Sequence, residues 1–219
     1  MGRQPMQGRV IISDDHTLLR EGLKSLLQRN GLEVVGEAGD GRTAVKLAKK
    51  INPDIVILDI STPFLNGIEA ARQISNEVPD ARILIMSMHC ADHFVLAALH
   101  AGAAAYLLKD AVFEELLAAL RSVLKGQVYL SPAIAGTVVQ ATLQPSSARR
   151  ELLGPRTSSR EREVLQLLVD GRSSKQIAAT LCVSVKTIES HRKRFMDKLN
   201  LHSVAELTKY AIREGLTTP

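Results

Sequence analysis

Short apolar runs that end at a polar residue are the feature that most constrains the fold. Such runs are Val10–Ser13 before Asp14 and Asp15, Ile55–Leu58 before Asp59, Ile83–Met86 before Ser87, and Ala105–Leu108 before Lys109. Runs of this kind, alternating with helical patterns, are typical of buried strands in a parallel sheet. Ligand sites of such open sheets lie beyond the carboxyl ends of the strands. The sequence therefore predicts one crevice that gathers three carboxylates, a hydroxyl and a lysine.

Strand-like and helix-like segments alternate five times between residues 8 and 125. The predicted strands are 10–13, 33–38, 55–59, 83–88 and 105–108, and the predicted helices are about 17–29, 42–50, 67–76, 93–101 and 112–125. Short connections between such segments predict right-handed crossovers and helices on both faces of the sheet.

The pattern changes after residue 125. Residues 126–156 are predicted to form a linker with a short helix from Pro132 to about Gln140, because Ser-Pro starts helices well. Residues 157–219 are predicted to be an all-α domain of four helices, about 160–169, 174–181, 185–199 and 204–214. Three of these helices carry a capping box, formed by Ser158 with Glu161, Ser173 with Gln176, and Ser203 with Glu206.

Charge and composition limit the class of protein. Residues 1–149 hold 15 Lys/Arg and 15 Asp/Glu, whereas residues 150–219 hold 13 and 8. Such asymmetry predicts an anionic partner for the last third of the chain. No apolar run is long enough to predict a membrane span, and the start lacks a signal peptide. Two isolated cysteines are predicted to be reduced thiols, so a cytoplasmic location is expected.

The polar residues of the crevice suit Mg²⁺-dependent phosphorylation. A carboxylate that attacks a phosphoryl group needs a cation between the two negative charges, and oxygen ligands favour Mg²⁺. Asp15 and Asp59 are predicted to bind the ion directly, with Asp14 acting through water. Lys109 and Ser87 are predicted to contact phosphoryl oxygens. Because phosphoryl transfer needs mainly positioning and charge neutralisation, this set is sufficient.

Residues 8–125 also resemble the receiver domain of bacterial two-component response regulators. The resemblance rests on Ser13–His16, Leu58–Pro63 with Asn66 and Gly67, Met86–His89, and Ala101–Asp110. It implies a flavodoxin-like (βα)5 fold in which Asp59 accepts the phosphoryl group from a sensor histidine kinase. It implies further that the backbone carbonyl of Ser61 completes the Mg²⁺ shell. Tyr106 is then a switch residue whose ring turns inward when Ser87 moves toward the phosphoryl group.

The helices at 174–181 and 185–199 have helix-turn-helix spacing, and the second is basic. A basic amphipathic helix packed on a bundle would explain the charge equally well. Residues 158–215, however, resemble the LuxR-type helix-turn-helix of NarL/FixJ response regulators. The matching segments are Ser159–Leu168, Gly171, Lys175–Ala178, Val183–Arg192, Lys198–Leu199, Ser203–Leu207 and Tyr210–Leu216. The resemblance implies base contacts by Glu189, Ser190 and Lys193, and phosphate contacts by Lys186, Thr187, Arg192 and Arg194.

The sequence therefore predicts a transcriptional response regulator that is activated by phosphorylation of Asp59 and is not an enzyme. It is expected to bind double-stranded DNA at a two-fold operator, as a homodimer when phosphorylated, with RNA polymerase as a further candidate partner. The resemblance suggests that the receiver restrains the output domain in one of two ways. It masks the helix at 185–199, or it withholds a dimer contact through Leu207, Tyr210 and Ala211.

Two other classes of protein stay open at this stage. An aspartate-based phosphatase on a similar sheet generally needs a second acid two residues after its nucleophile, and Ser61 occupies that position. A DNA binder that is never phosphorylated, or an adaptor that sequesters other proteins, would not need the full set of three aspartates, serine and lysine. The complete set therefore favours the phosphorylated regulator.

Overall fold

The computed structural model describes residues 6–111, 113–143, 158–213 and 217. The chain divides into two compact units, Met1–Thr142 and Leu143–Pro219. Residues 144–156 of the predicted linker, and the end of the last predicted helix at 214, lie outside the described residues.

The first unit is built on a six-stranded parallel sheet of order β2-β1-β3-β4-β5-β6. The strands are β1 Arg9–Ser13, β2 Glu33–Ala38, β3 Ile55–Asp59, β4 Arg82–Ser87, β5 Ala103–Leu108 and β6 Tyr129–Leu130. All five residues of β3 are buried, as expected for a central strand that is covered on both faces. The prediction of a flavodoxin-like α/β sheet is confirmed.

Six helices of this unit cover the two faces of the sheet. They are α1 Thr17–Arg29, α2 Gly41–Ile51, α3 Gly67–Glu77, α4 Asp92–His100, α5 Phe113–Leu124 and α6 Pro132–Leu143. One core cluster contains apolar residues of α2, α3, α4 and α6, and the other contains those of α1 and α5. Successive residues of a strand point to opposite faces, so each strand contributes to both clusters.

The first unit is longer than the sequence predicted. Tyr129 and Leu130 join the sheet beside β5, and α6 continues to Leu143 instead of ending near Gln140. Ile134 of this helix is fully buried in the core. A two-residue strand is too short to show an alternation of apolar and polar residues. The sequence therefore predicted a linker from residue 126 onward.

The second unit is formed by α7 Ser159–Val169, α8 Ser174–Leu181, α9 Val185–Leu199 and α10 Val204–Arg213. The boxes at Ser158 and Ser173 are confirmed, and Ser203 and Glu206 exchange the same pair of hydrogen bonds. Between α8 and α9, Cys182 adopts a left-handed φ of 53° and makes the tight turn. None of the helices in the described residues is both long and apolar enough to cross a membrane.

Gly67, at the start of α3, is required by the close approach of two backbone segments. A Cβ at this position would collide with the backbone carbonyl of Asp59. The Gly67 N–H donates to the carbonyl of Ile60 at 3.0 Å, which holds α3 against the end of β3. In contrast, a Cβ on Gly22 in α1 would meet nothing within 4 Å.

We expect Gly67→Ala to lower the free energy of unfolding by about 1–3 kcal/mol, because it overpacks fixed backbone. The matched change Gly22→Ala should raise stability by up to about 1 kcal/mol through helix propensity. Urea unfolding of both variants checks this difference. Equal effects of the two substitutions would contradict the close approach at Gly67.

Candidate functional site

The strand register brings the predicted residues to one edge of the sheet. Ser13 pairs with Leu58, Asp59 with Met86, and Ser87 with Leu108, so the carboxyl ends of four strands lie level. Asp14, Asp59 and Ser87 are buried there, at 3%, 3% and 0% exposure. Polar groups buried this deeply need partners, and the partners define the site.

Lys109 supplies the counter-charge for two of these carboxylates. Its Nζ lies 2.7 Å from Oδ2 of Asp14 and 2.8 Å from Oδ2 of Asp59. The Lys109 N–H donates to the carbonyl of Ser87 at 2.8 Å, so the lysine is fixed to the end of the neighbouring strand. The structure thus brings together four of the residues that the sequence predicted for this site.

Burial and charge act on Asp59 in opposite directions. Burial raises the pKa of Asp59 above its ordinary value, and the Lys109 ammonium and the Ser61 N–H oppose that rise without cancelling it. For Lys109, burial lowers the pKa, but contact with Asp14 and Asp59 outweighs burial and raises it overall. The lysine is therefore charged at neutral pH, and the Asp59 carboxylate is less well stabilised than in water.

The acidic pocket suits a divalent cation. Single ligand atoms of Asp14, Asp15, His16 and Asp59 all lie within 4.8 Å of one another. Asp15 is exposed, so a hydrated ion can reach it from solvent. Three carboxylates beside one ammonium leave an excess of negative charge, and carboxylate oxygens are the ligands that Mg²⁺ prefers.

Sequence reasoning missed two residues that hold the acidic loop. His16 Nδ1 lies 2.8 Å from Oδ1 of Asp15 and 3.1 Å from Oδ1 of Asp14. Arg20, one turn into α1, donates from Nη1 to the backbone carbonyl of Asp14 at 2.6 Å. Both residues lie close to Asp14 in the sequence. However, a histidine at the start of a helix and a basic residue on a helix are common without any functional role, so neither was predicted to belong to the site.

His89 is a third residue that the sequence did not single out. Its Nε2 lies 3.3 Å from the Ser61 hydroxyl, and its backbone N–H donates to the Ser87 hydroxyl at 3.0 Å. Tyr106 donates from its hydroxyl to the His89 carbonyl at 2.6 Å. The loops after β3 and β4 are therefore joined to each other and to β5 by the backbone and side chain of one histidine.

Tyr106 is fully buried, so its ring already lies inward in this structure. Burial raises the pKa of Tyr106 to about 12, which keeps its hydroxyl protonated as a donor. The ring can turn inward on phosphorylation only from an outward position that differs from the one seen here, so this expectation stays a prediction.

The helix α9 places its predicted DNA contacts away from its core. Ile188 and Phe195 are fully buried on its inner side. The exposed predicted contacts are Lys186, Glu189, Ser190, Lys193 and Arg194, and the half-buried ones are Thr187 and Arg192. The Thr187 hydroxyl lies 2.8 Å from that of Ser184, so it is part of the N-cap of α9. A phosphate contact by Thr187 would have to share that hydroxyl.

The predicted dimer contact on the last helix needs revision. Leu207, Tyr210 and Ala211 are exposed by only 1%, 6% and 0%, and they form the inward face of α10. They occur at the i, i+3, i+4 spacing by which a helix packs on its own domain. Ala205, Glu206 and Lys209 lie on the exposed side. A dimer contact through α10 stays a prediction, but its surface residues would come from this second group.

The fold and the site define a receiver-type sheet with an acidic pocket, joined in one chain to a helix-turn-helix. Comparison with known proteins agrees. Residues 10–121 match the family "Response regulator receiver domain", and residues 157–211 match "Bacterial regulatory proteins, luxR family".

Curated relatives and solved structures match almost the whole chain. The transcriptional regulatory protein MctR of Rhizobium johnstonii is 36% identical over 211 residues, covering 96% of this chain and 95% of that protein. The response regulator UvrY of Escherichia coli is 36% identical over 208 residues, 94% of each chain. RcsB of Salmonella enterica serovar Typhimurium, solved bound to promoter rprA in the presence of phosphomimetic BeF3⁻, is 27% identical with a TM-score of 0.57. That match covers 96% of this chain and 100% of the RcsB chain.

The chain therefore belongs to the NarL/FixJ response regulators and is a DNA-binding transcriptional regulator of a two-component system.

We expect Asp59→Asn to raise the free energy of unfolding at neutral pH without Mg²⁺. Folding raises the pKa of Asp59, so wild-type stability falls as pH rises from the ordinary value of 3.8 through the raised one. The gain in the free energy of unfolding that Asp59→Asn gives should shrink below about pH 4, where Asp59 is protonated in both the folded and the unfolded state. Urea unfolding across this range checks the prediction. The control is Asp110→Asn at an exposed position, which should stay within about 0.5 kcal/mol of wild type.

Proposed function

We propose that Asp59 accepts a phosphoryl group from the phosphohistidine of a sensor histidine kinase, and that this modification controls DNA binding. Mg²⁺ would be held by Asp15, Asp59 and the carbonyl of Ser61, with Asp14 acting through water. The observation that carries the proposal is the position of the Lys109 ammonium, 2.8 Å from Asp59 inside the acidic pocket. A purely structural aspartate has no need of two further carboxylates beside it.

Each residue of the pocket has a different role in phosphoryl transfer. An oxygen of Asp59 attacks phosphorus, and the bond between phosphorus and the histidine nitrogen of the kinase breaks. Asp15 and Asp59 would hold Mg²⁺, which would supply positive charge between the carboxylate and the phosphoryl group. Lys109 gives a fixed positive charge for one phosphoryl oxygen, and the Ser87 hydroxyl donates to another.

The relatives support the remaining parts of the proposal. RcsB was solved on promoter DNA with a phosphomimetic present, which supports phosphorylation-dependent DNA binding for this chain too. A further RcsB structure shows two dimers bound to two parallel DNAs, which supports binding as a homodimer. We propose in addition that the regulator works in the cytoplasm, binds a two-fold operator and acts on transcription together with RNA polymerase.

We expect acetyl phosphate or a cognate kinase to label the chain at Asp59 only, and only with Mg²⁺. Asp59→Asn should abolish labelling, and Asp15→Asn should raise the Mg²⁺ concentration needed. Asp110→Asn, an exposed aspartate one residue beyond Lys109, is the matched control and should label normally. Phosphoprotein gels measure the labelled fraction. Undiminished labelling of Asp59→Asn would place the site elsewhere.

The exposed face of α9 supports DNA binding by this helix. Lys186, Ser190 and Lys193 follow one another at helical spacing on the side opposite Ile188. Asp197 continues the same exposed face one turn further on. Because a carboxylate repels the DNA backbone, contacts should be confined to the turns before Asp197.

We expect Lys193→Ala to cost roughly 1–3 kcal/mol on the preferred site and to relax base preference there. Lys186→Ala should weaken binding to all sequences alike and lower the salt slope by about one unit. Lys198→Ala is the control, since this lysine lies in the last turn and faces Glu161 at 3.8 Å. Equal losses for Lys193→Ala on specific and random DNA would refute the assignment of readers.

A further inference from the structure

The segment after α5 is bonded directly to the backbone of the switch tyrosine. In the parallel pair of β5 and β6, Ala105 lies opposite Tyr129 and Tyr106 opposite Leu130. The N–H of Ser131 then donates to the carbonyl of Tyr106 at 3.0 Å. A displacement of the Tyr106 backbone therefore acts on the residue that precedes α6.

Ser131 is held from three directions. It is buried at 2% exposure, and its hydroxyl donates to the Glu115 carboxylate in the first turn of α5. Its carbonyl accepts from the N–H groups of Ile134 and Ala135 at 3.0 and 3.1 Å, which starts α6. Ser131 thus ends β6, begins α6 and ties both to α5. This hydrogen bond is partly buried, and a bond to a charged acceptor is among the stronger ones in proteins.

The side chains of α6 share a core with the tyrosine. Ile134 is fully buried in the same cluster as Tyr106 and Phe94, and Leu130 and Val138 pack against that cluster. Because protein interiors are close-packed, a ring that changes position requires its neighbours to repack. Tyr106 and α6 therefore belong to the same packed core, in addition to their connection through the Ser131 backbone.

We propose that Glu115, Ser131 and Ile134 form a latch that fixes α6 to Tyr106 and carries the phosphorylation signal toward the DNA-binding unit. A shift of Tyr106 on phosphorylation of Asp59 strains the bond to Ser131 and repacks Ile134, so that α6 moves relative to the sheet. Residues 144–157 connect α6 to α7 along the chain, so a change in α6 acts on the covalent connection to the output domain. This regulation rests on the function proposed above.

The link between the latch and Tyr106 can be measured without phosphorylation. The chain has three tyrosines, so fluorotyrosine labelling of the full-length protein gives three resonances, and Tyr106→Phe assigns one. We expect Ser131→Ala and Glu115→Ala each to shift the Tyr106 resonance. The matched control is Glu114→Ala, which removes the same charge from the adjacent, exposed position of the same helix turn. An unchanged Tyr106 resonance in both latch variants would overturn the proposal.

The second measurement is the ratio of DNA affinities with and without acetyl phosphate. Ser131→Ala and Glu115→Ala should reduce this ratio about fivefold, as expected when one buried hydrogen bond is lost. Glu114→Ala should keep the wild-type ratio. The double variant should lose no more than the stronger single variant, because both changes remove one interaction.

The failure of the latch and the failure of the proposed function give different results. If the latch variants keep the wild-type ratio while Asp59 is fully labelled, the latch carries no signal and the proposal falls. If the wild-type chain itself shows no change in DNA affinity on labelling, the proposed function is contradicted. A labelled fraction measured on each sample separates the two outcomes.

Discussion

The contact of Lys109 with Asp14 and Asp59 is the interaction on which the phosphorylation site depends. Two carboxylates buried side by side cost stability unless a cation lies between them. The ammonium, at 2.7 and 2.8 Å, supplies part of that charge, and burial still raises the pKa of Asp59. The pocket therefore retains an excess of negative charge that a divalent cation would relieve.

The connection between β3 and α3 supports the pocket with a rigid backbone. Gly67 packs against the Asp59 carbonyl, and Asn66 caps α3 by accepting from the Glu69 N–H at 2.8 Å. Thr62, buried in the same connection, donates to the carbonyl of Leu65 at 2.9 Å. The backbone of Asp59 and the connection that follows it are consequently held by contacts that do not involve the charged groups of the pocket.

The parts of the site that lie at strand ends could be predicted from sequence, because a buried parallel strand has an unmistakable apolar run. Asp14, Asp59, Ser87 and Lys109 were found in this way. His89 could not, because its contacts come from its backbone and from a loop that folds back on Ser61. The strand β6 could not be predicted from the sequence for a different reason. Its two residues have no periodicity, and their pairing depends on an edge of β5 that exists only in the folded sheet.

Tyr106 is the residue at which these separate contacts meet. Its hydroxyl bonds to the His89 carbonyl beside the phosphorylation pocket, and its own carbonyl bonds to the N–H of Ser131 before α6. In a close-packed interior, a movement of the Tyr106 ring at its hydroxyl end displaces its neighbours and strains the bond at its backbone carbonyl. An edge strand also has fewer neighbours than a central one, so β6 can shift without breaking the rest of the sheet. Tyr106 therefore connects the loop beside Asp59 to the residue that precedes α6 at the edge of the sheet.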